Sequence, residues 1–472
     1  MKKKRLILKI PPQLLIAIIF LTGCCPDKML NPEYINEFHQ TYFGDKKTPL
    51  KTGEVRLFVD YSTCVFQAKN DGSTFYNDML NIMQEATSYY SIKGDIISLE
   101  ESIKTSTDIY NELAKNLPDI PYADLSKAAE MIVNGDCEAI LVTDGELYEP
   151  NDAKGHENDA YLSKAFKKWL GLGREIFIYS EPYIEKYKGQ QYDKKRFYFV
   201  FTDSEMKGNV YNKIMEQIPN IEKRSDVLQY HLTSSHSILS TEGQSNSSVQ
   251  NSYLSAEMLN ACGYYEVQDW SGLSWKNIKK YIIDAEDDET GKQLKNGEDV
   301  ISGLSLDRNT KGSCFRIDDI YLEVSNLTEL YQQYCDAKDG GQKPSQIMKE
   351  HPMSNNNNYR MEDFLIFDKE EFKRTGKIII FFDKENFDPT NLQSNSDNLL
   401  KIDVKVKNYS NVFRSNSEAH SIVEFDALGK KGQKNLSVAK SIESVLADQK
   451  IRDMMQDRTL YTIYVFSNPS NL

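Results

Sequence analysis

Histidine is scarce in this sequence, and cysteines at the spacing of a zinc site are absent. Six histidines occur among 472 residues, and the seven cysteines form no CxxC pair and no Cys/His cluster. The sequence also contains no glycine-rich phosphate loop and no Ser-His-Asp or Cys-His motif. His231 and His236 are five residues apart, off helical register, and we interpret them as surface or turn residues. We therefore predict that the protein is not an enzyme.

Positive charge is also in deficit. The chain has 57 Lys and Arg residues against 70 Asp and Glu residues, which gives a formal charge of −13. Nucleic-acid binding depends on Lys and Arg side chains that displace counterions from the phosphates, so we expect no nucleic-acid partner. An apolar content of 40% with 27% charged residues is typical of a globular protein.

The first 23 residues have the features of a secretory signal peptide. Residues 2–5 are basic, and they precede an apolar run over 14–21 that is too short for a permanent membrane span. The segment ends in Leu21-Thr22-Gly23-Cys24, which resembles the bacterial lipobox. This resemblance implies cleavage before Cys24, acylation of that residue and a lipid-anchored protein of the cell envelope. An uncleaved signal anchor is the alternative.

Cleavage would leave a more acidic chain with a polar amino-terminal segment. Residues 1–23 contain five basic residues and no acidic one, so the remaining chain has a formal charge of −18. Cys25 stands where an inner-membrane retention Asp would be, which favours the outer membrane if the host is Gram-negative. Residues 24–52 are polar and mixed, and we predict a tether there. We expect the cysteines beyond residue 25 to be separate buried thiols.

Residues 53–220 alternate between strand-like and helix-like segments. The predicted strands are 55–60, 139–143, 175–179 and 196–201, and the predicted helices are 74–90, 107–117, 124–133, 159–171 and 208–218. Nearly continuous apolar strands separated by amphipathic helices are typical of a sheet covered on both faces. We therefore predict a doubly wound, Rossmann-like α/β domain.

The remainder of the chain has a different pattern. A linker rich in Ser and Asn is predicted over 221–252. The predicted strands beyond it are 314–324, 377–382, 399–406 and 460–466, with one helix over 437–448. This pattern predicts a β-rich, α+β domain over 253–472, and a sandwich is one arrangement compatible with it.

Two strands of the predicted α/β domain end in acidic residues. Asp60 follows the strand at 55–59, with Ser62 two residues later, and Asp144 follows the strand at 139–143. Residues just past the carboxyl ends of parallel strands meet in the ligand crevice of a doubly wound sheet. Carboxylate and hydroxyl oxygens gathered there would suit a hard divalent cation such as Mg²⁺.

These two motifs resemble those of the von Willebrand factor type A domain. In that family Asp-x-Ser-x-Ser, a loop Thr and a Thr-Asp-Gly turn form a metal-ion-dependent adhesion site. The resemblance implies that Asp60, Ser62 and Asp144 are metal ligands, with Thr107 as the loop Thr. Residues 122–124 are the other counterpart of that loop, and they contain no Thr. Cys64 replaces the second Ser, and a thiol is a poor ligand for Mg²⁺.

The resemblance implies a membrane-anchored protein that captures a protein partner through a bound divalent cation. Two alternatives remain open from the sequence. One is a structural envelope or assembly component with a degenerate metal site. The other is a glycan-binding or hydrolytic carboxyl-terminal domain, for which the acidic residues are Asp318, Asp319, Glu362, Asp363 and Asp383.

Overall fold

The computed structural model of the chain describes most residues from 32 onward. They are 32–44, 49–62, 65, 74–115, 122–147, 156–203, 206–233, 239–240, 263–265, 301–306, 315–353, 359–360, 365–382, 398–411, 413, 423–430 and 432–467. The signal peptide, Cys24, Cys25, Cys64 and His236 therefore lie outside the described residues. Among the residues that are described, no helix is long and apolar enough to cross a membrane.

The first half of the described chain alternates between helices and strands. The helices are α1 (Pro32–Tyr42), α2 (Thr74–Met83), α3 (Ser106–Ala114), α4 (Leu125–Val133), α5 (Ser163–Leu170) and α6 (Val210–Gln217). The strands are β1 (Val55–Asp60), β2 (Ser88–Lys93), β3 (Ile96–Leu99), β4 (Glu138–Thr143), β5 (Glu175–Tyr187), β6 (Gln190–Thr202) and β7 (Leu228–Thr233). A 3₁₀ turn over Ile221–Lys223 precedes β7. The mixed α/β class is as predicted.

The seven strands form one sheet in the order β3-β2-β1-β4-β6-β5-β7. Strand β1 pairs in parallel with β2 and with β4, so that Asp60 lies opposite Ile92 and Val59 opposite Val142. Helices connect these three parallel strands, as a doubly wound sheet requires. From β4 onward the pairing is antiparallel, because β6 lies between β4 and β5 and β7 adds to the far edge. Strand β3 also pairs antiparallel with β2, so the parallel pairing predicted for a doubly wound sheet is limited to β2, β1 and β4.

Both faces of the sheet are covered. On one face Leu57, Val59 and Ile140 pack with apolar residues of α2, α3 and α6. On the other face Phe58 and Leu141 pack with residues of α4 and α5. Alternate residues of β1 and β4 thus enter opposite cores, which explains why their sequences are apolar almost throughout.

Helix α1 lies within the segment that we predicted as a tether. Its Ile35 and Phe38 are fully buried. The Phe38 ring lies 5.1 Å from that of Tyr331 and 5.4 Å from that of Tyr334, centroid to centroid. Residues 32–42 are therefore folded against the second half of the chain. Ile35 and Phe38 are three residues apart, as on one face of a helix, but the polar residues around them made this spacing hard to recognise in the sequence.

The second half contains more helix than the sequence pattern indicated. The helices are α7 (Thr328–Asp339), α8 (Pro344–Glu350), α9 (Lys369–Thr375), α10 (Ser437–Leu446) and α11 (Gln449–Met455). The strands are β8 (Leu239–Ser240), β9 (Gly263–Tyr265), β10 (Ile301–Leu306), β11 (Phe315–Asn326), β12 (Leu365–Phe367), β13 (Lys377–Phe382), β14 (Asn398–Asn411), β15 (Phe425–Asp426), β16 (Lys434–Asn435) and β17 (Thr459–Ser467). They form two four-stranded sheets, β12-β13-β10-β8 and β11-β14-β17-β9, and a β15-β16 pair.

Part of the second half packs directly on the α/β sheet. Helix α10 lies against α5, and its Val438 and Ile442 are fully buried in the same core as α5. The Leu162 N–H donates to Ser441 Oγ at 3.1 Å, and the Asp193 N–H donates to Asp426 Oδ2 at 2.9 Å. Strand β15 and helix α10 therefore pack on the α/β unit, although we predicted them within a separate carboxyl-terminal domain.

Candidate functional site

Asp60 is held at the carboxyl end of β1, inside the protein. Its side chain accepts the Ser62 backbone N–H at 2.7 Å on Oδ1 and the Thr143 hydroxyl at 2.8 Å on Oδ2. The residue is only 1% exposed. Strands β1 and β4 are neighbours in parallel, so Thr143, the last residue of β4, reaches Asp60 directly.

Asp144 follows β4 in a tight turn. The Gly145 N–H donates to Thr143 Oγ1 at 3.0 Å, and the Glu146 N–H donates to Asp144 Oδ1 at 2.9 Å. Gly145 adopts a φ of 76°, which favours glycine. Asp144 is 3% exposed, so both predicted acidic ligands are buried at the same edge of the sheet. The structure thus brings Asp60 and Asp144 together, as the resemblance implied.

The two buried carboxyl groups repel each other electrostatically. Burial raises the pKa of Asp60 above its usual value, although hydrogen bonds from Ser62 and Thr143 favour its charged form. Burial also raises the pKa of Asp144 well above its usual value, and the negative charges of Asp60 and Glu146 raise it further. Lys194 offsets part of this effect. A pair of this kind is stabilised by a shared proton or by a nearby cation.

Ser62 contributes a buried hydroxyl to the same edge. It is 4% exposed, and its Oγ has no hydrogen-bond partner of good geometry among the described residues. The hydroxyl nevertheless lies near enough to Asp60 to favour its charged form. A hydroxyl oxygen beside two carboxylates can also serve as a ligand of a hard cation.

The structure does not support Thr107 as the loop Thr of the predicted metal site. It is exposed on the first turn of α3, whose amino terminus is capped by Thr105 and Asp108. Residues 122–124 instead run beside the end of β2, where the Gly94 N–H donates to Tyr122 O at 3.0 Å. Because β2 is parallel to β1, this segment lies at the same edge as Asp60. It contains no Thr, so this segment supplies no counterpart of the family's loop Thr.

Lys194 is a residue of this edge that our sequence analysis missed. It lies on β6, its side chain is fully buried, and its Nζ is 2.7 Å from Glu146 Oε1. Residues 194–196 are Lys-Lys-Arg before an apolar strand, a pattern normally typical of solvent-exposed residues. Arg196 is also buried, where it pairs with Glu181 and lies 4.2 Å from the ring centroid of Tyr76. The sequence signal for these buried basic residues was a basic run that directly precedes an apolar strand.

Residues from both halves of the chain contact the turn at Gly145. The Gly145 carbonyl accepts the Tyr161 hydroxyl at 2.7 Å and the Ser437 hydroxyl at 3.3 Å. A Cβ added at Gly145 would lie 2.9 Å from the Phe197 ring and 3.3 Å from Val438 Cγ2. The peptide N–H of Leu428 donates to Glu146 Oε1 at 3.2 Å. The acidic turn is therefore packed on both sides by protein.

The other candidate residues do not form a second site in the described structure. Our interpretation of His231 as a surface or turn residue was wrong, because it lies buried on β7. There its Nε2 is 2.7 Å from Glu175 Oε2, and its ring stacks on Phe177. Asp318 pairs with Arg316, and Asp319 lies 4.0 Å from Lys407 Nζ. Glu362, Asp363 and Asp383 lie outside the described residues.

Metal-binding clusters of the common kind are absent from the described part of the chain. No three or more His, Cys, Asp or Glu side chains are grouped there as a metal site. The edge at Asp60 differs from such clusters because it combines two carboxylates with a hydroxyl. Cys137 and Cys335 are buried and neither is part of a disulfide, as we expected of these thiols.

Comparison with protein-family models, with curated proteins and with solved structures gave no match for this chain. The likeness to the type A domain therefore rests on the residues of the two acidic strand ends. The metal site and the protein partner that this likeness implies remain predictions.

Proposed function

We propose that the protein is a lipid-anchored envelope protein that binds a protein partner through its α/β unit. A divalent cation such as Mg²⁺ would be held by Asp60, Ser62 and Asp144. The observation that carries this proposal is the convergence of two buried carboxylates and a buried hydroxyl at one sheet edge. Hard oxygen donors of this kind suit Mg²⁺ and leave coordination positions for water or for a partner's acid.

The donor set fits such a cation on electrostatic grounds. Two carboxylates buried together repel each other, and the desolvation of each is costly unless positive charge compensates it. A bound cation would supply a positive charge that both carboxylates and the Ser62 hydroxyl can share. Thr143 and the backbone N–H groups of Ser62 and Glu146 already orient the carboxylates, so their binding geometry is partly set in advance.

Lipid attachment at Cys24 is the second part of the proposal. The basic residues, the short apolar run and the Gly23-Cys24 pair support export and acylation. Only seven residues separate Cys24 from Pro32, where α1 begins. An extended chain of that length spans roughly 25 Å, so the folded body would lie close to the membrane surface.

A structural or assembly role is the second candidate, because the acidic edge is deeply buried. Tyr161, Ser437 and Val438 surround the Gly145 turn and limit the approach of an external group from that side. In this case the cation, or a proton shared by Asp60 and Asp144, would stabilise the contact between the two halves of the chain.

Cross-linking in intact host envelopes distinguishes the two candidates. Under the binding hypothesis, a cross-linked partner forms with the native protein in millimolar Mg²⁺, is lost with a chelator, and is lost for Asp144→Asn. The matched control is the exposed Asp95→Asn, which should retain the partner. A partner that persists in all four conditions would contradict cation-dependent capture, and the absence of any partner in all four would favour the structural role.

A further inference from the structure

The antiparallel strand β6 brings Lys194 to the acidic edge. Strand β6 pairs with β4 so that Phe197 lies opposite Thr143. Residues before Phe197 therefore extend past the end of β4, beside the turn that contains Asp144 and Glu146. A strand parallel to β4 would end at this edge and continue as a loop, so it would place no strand residue beside this turn. The departure of this sheet from the doubly wound pattern is thus what places a lysine at the edge.

The ammonium of Lys194 is held there by acidic side chains. Its Nζ lies 2.7 Å from Glu146 Oε1 and 3.8 Å from Glu185 Oε2, and its side chain is fully buried. The Phe425 ring covers it, with the centroid 5.2 Å from Nζ. Although burial disfavours the charged amine, the charges of Glu146 and Asp144 outweigh that cost and raise the pKa of Lys194. The two ion pairs and the surrounding acidic charge therefore favour the charged form of this buried lysine.

This charge acts on one of the two carboxylates that a metal would use. Its electrostatic effect reaches Asp144, whose charged form it favours. It also holds Glu146, the acidic residue closest in sequence to Asp144, in an ion pair. Charges buried this close together interact strongly because little water screens them. A divalent cation at Asp60 and Asp144 would meet repulsion from the ammonium and would lack Glu146 as a further ligand.

We propose that Lys194 determines how tightly the acidic edge binds a divalent cation. The lysine serves as a resident positive charge that weakens Mg²⁺ binding, and its loss strengthens that binding. This inference rests on the proposed cation site of Asp60, Ser62 and Asp144. It concerns the affinity of that site for a divalent cation, whereas the proposed function concerns the binding of a protein partner through that cation.

Titration calorimetry with MgCl₂ and MnCl₂ on the full-length protein in detergent tests the proposal. Lys194→Gln should bind Mg²⁺ at least about tenfold more tightly than the native protein, because one buried positive charge is removed. Lys194→Arg keeps the charge and should stay within about threefold of the native affinity. Lys401→Gln is the matched control, since Lys401 is also buried and pairs with Asp403 in the other half of the chain.

Glu146→Gln provides an independent variant if Lys194→Gln does not fold. It leaves Lys194 without its closest acidic partner, so Mg²⁺ binding should weaken at least about fivefold. In the double variant Lys194→Gln with Glu146→Gln both charges are absent, and the affinity should return to within about threefold of the native value. Unchanged binding in Glu146→Gln would overturn the proposal.

The outcomes separate this proposal from the proposed function. If the native protein binds Mg²⁺ and Lys194→Gln binds no more tightly, the role of Lys194 is wrong and the cation site stands. If only Lys194→Gln binds, Lys194 has the proposed role and native cation-dependent capture is wrong. If neither binds, both are wrong. Equal tightening in Lys194→Gln and Lys401→Gln would also contradict a specific role.

Discussion

The Thr143 hydroxyl donates a hydrogen bond of 2.8 Å to Asp60 Oδ2 and thereby joins the ends of two neighbouring parallel strands. Thr143 Oγ1 in turn accepts the backbone N–H of Gly145 at 3.0 Å. Thr143 thus orients one predicted ligand directly and fixes the turn that carries the other, Asp144. The sheet edge itself thus orients both carboxylates, which would reduce the ordering cost of binding a cation there.

Gly145→Ala should destabilise the protein by about 2–4 kcal/mol. The residue has a φ of 76°, and a Cβ would lie 2.9 Å from the Phe197 ring, so backbone strain and overpacking add together. Urea unfolding measures the change. Gly189→Ala is the control, because Gly189 has the same φ but no atom within 4 Å of its added Cβ. Equal effects of the two substitutions would show that the turn is not tightly packed against Phe197.

Phe38→Ala should lower the free energy of unfolding by roughly 3–5 kcal/mol, because it leaves a cavity among Tyr42, Tyr331 and Tyr334. Chemical denaturation followed by near-ultraviolet circular dichroism checks this. Phe43 is only partly buried, and Phe43→Ala should cost less than half as much. If residues 32–42 were a tether in solution, Phe38→Ala would change the stability by less than about 0.5 kcal/mol.

Lys195 should make the stability of the protein rise with pH in the alkaline range. Burial lowers the pKa of Lys195 from 10.5 to about 8; Glu424 opposes that shift and Lys434 adds to it. Between these values the unfolded state binds more protons than the folded state, so the free energy of unfolding increases as the pH rises. The cost of the buried charge, up to about 3 kcal/mol, is fully present below pH 8.

Denaturation of the native protein and of Lys195→Met at pH 7.5 and at pH 10 measures this contribution. The native protein should gain stability relative to the variant between the two pH values, since other titrating groups are common to both. The exposed Lys186→Met on the same hairpin should behave like the native protein. Parallel pH profiles of the native protein and Lys195→Met would contradict a depressed pKa.

Cys24→Ser should abolish lipid attachment. Acylation requires the thiol of the residue that follows the cleavage site, so the variant should lose incorporation of labelled fatty acid and keep an uncleaved signal. Cys25→Ser is the matched control and should remain labelled and membrane-bound. Labelling of Cys24→Ser at the native level, or an equal loss in Cys25→Ser, would contradict the lipobox interpretation.

Much of the first half of the fold followed from the apolar pattern of the sequence. The strand over 55–60 is as predicted, and that over 139–143 differs by one residue, because buried parallel strands are apolar on both faces. The helix over 74–90 was predicted too long, since Ser88–Lys93 form strand β2. Tyr and Ile occur in either structure, and only the pairing with β1 decides between them.

The antiparallel half of the sheet could not be predicted from local pattern. Strands β5 and β6 form a long hairpin whose outer parts carry buried charged residues such as Glu185 and Lys194. Because charged residues are seldom buried without a partner, the charged segments were not predicted as strand, and both strands were predicted too short. Their ion pairs are long-range contacts that the sequence does not display.

The candidate site was predictable only in part, for the same reason. Asp60 ends strand β1, Ser62 and Asp144 follow strands β1 and β4, and parallel pairing brings such strand ends together. Thr107 was matched through its neighbouring residues alone, and it lies exposed on α3. The contact of Gly145 with Ser437 joins residues that are almost three hundred positions apart.

Thermal unfolding of the native protein in millimolar Mg²⁺ and in a chelator is the most direct test of the cation site. A ligand that binds only the folded state raises stability by RT ln(1 + [L]/Kd), so Mg²⁺ should raise the Tm by at least about 2 °C. Asp144→Asn should lose this shift, and Thr107→Ala should keep it because Thr107 is exposed on α3. An unchanged Tm for the native protein, or the same shift in Asp144→Asn, would contradict a divalent cation held by Asp60, Ser62 and Asp144.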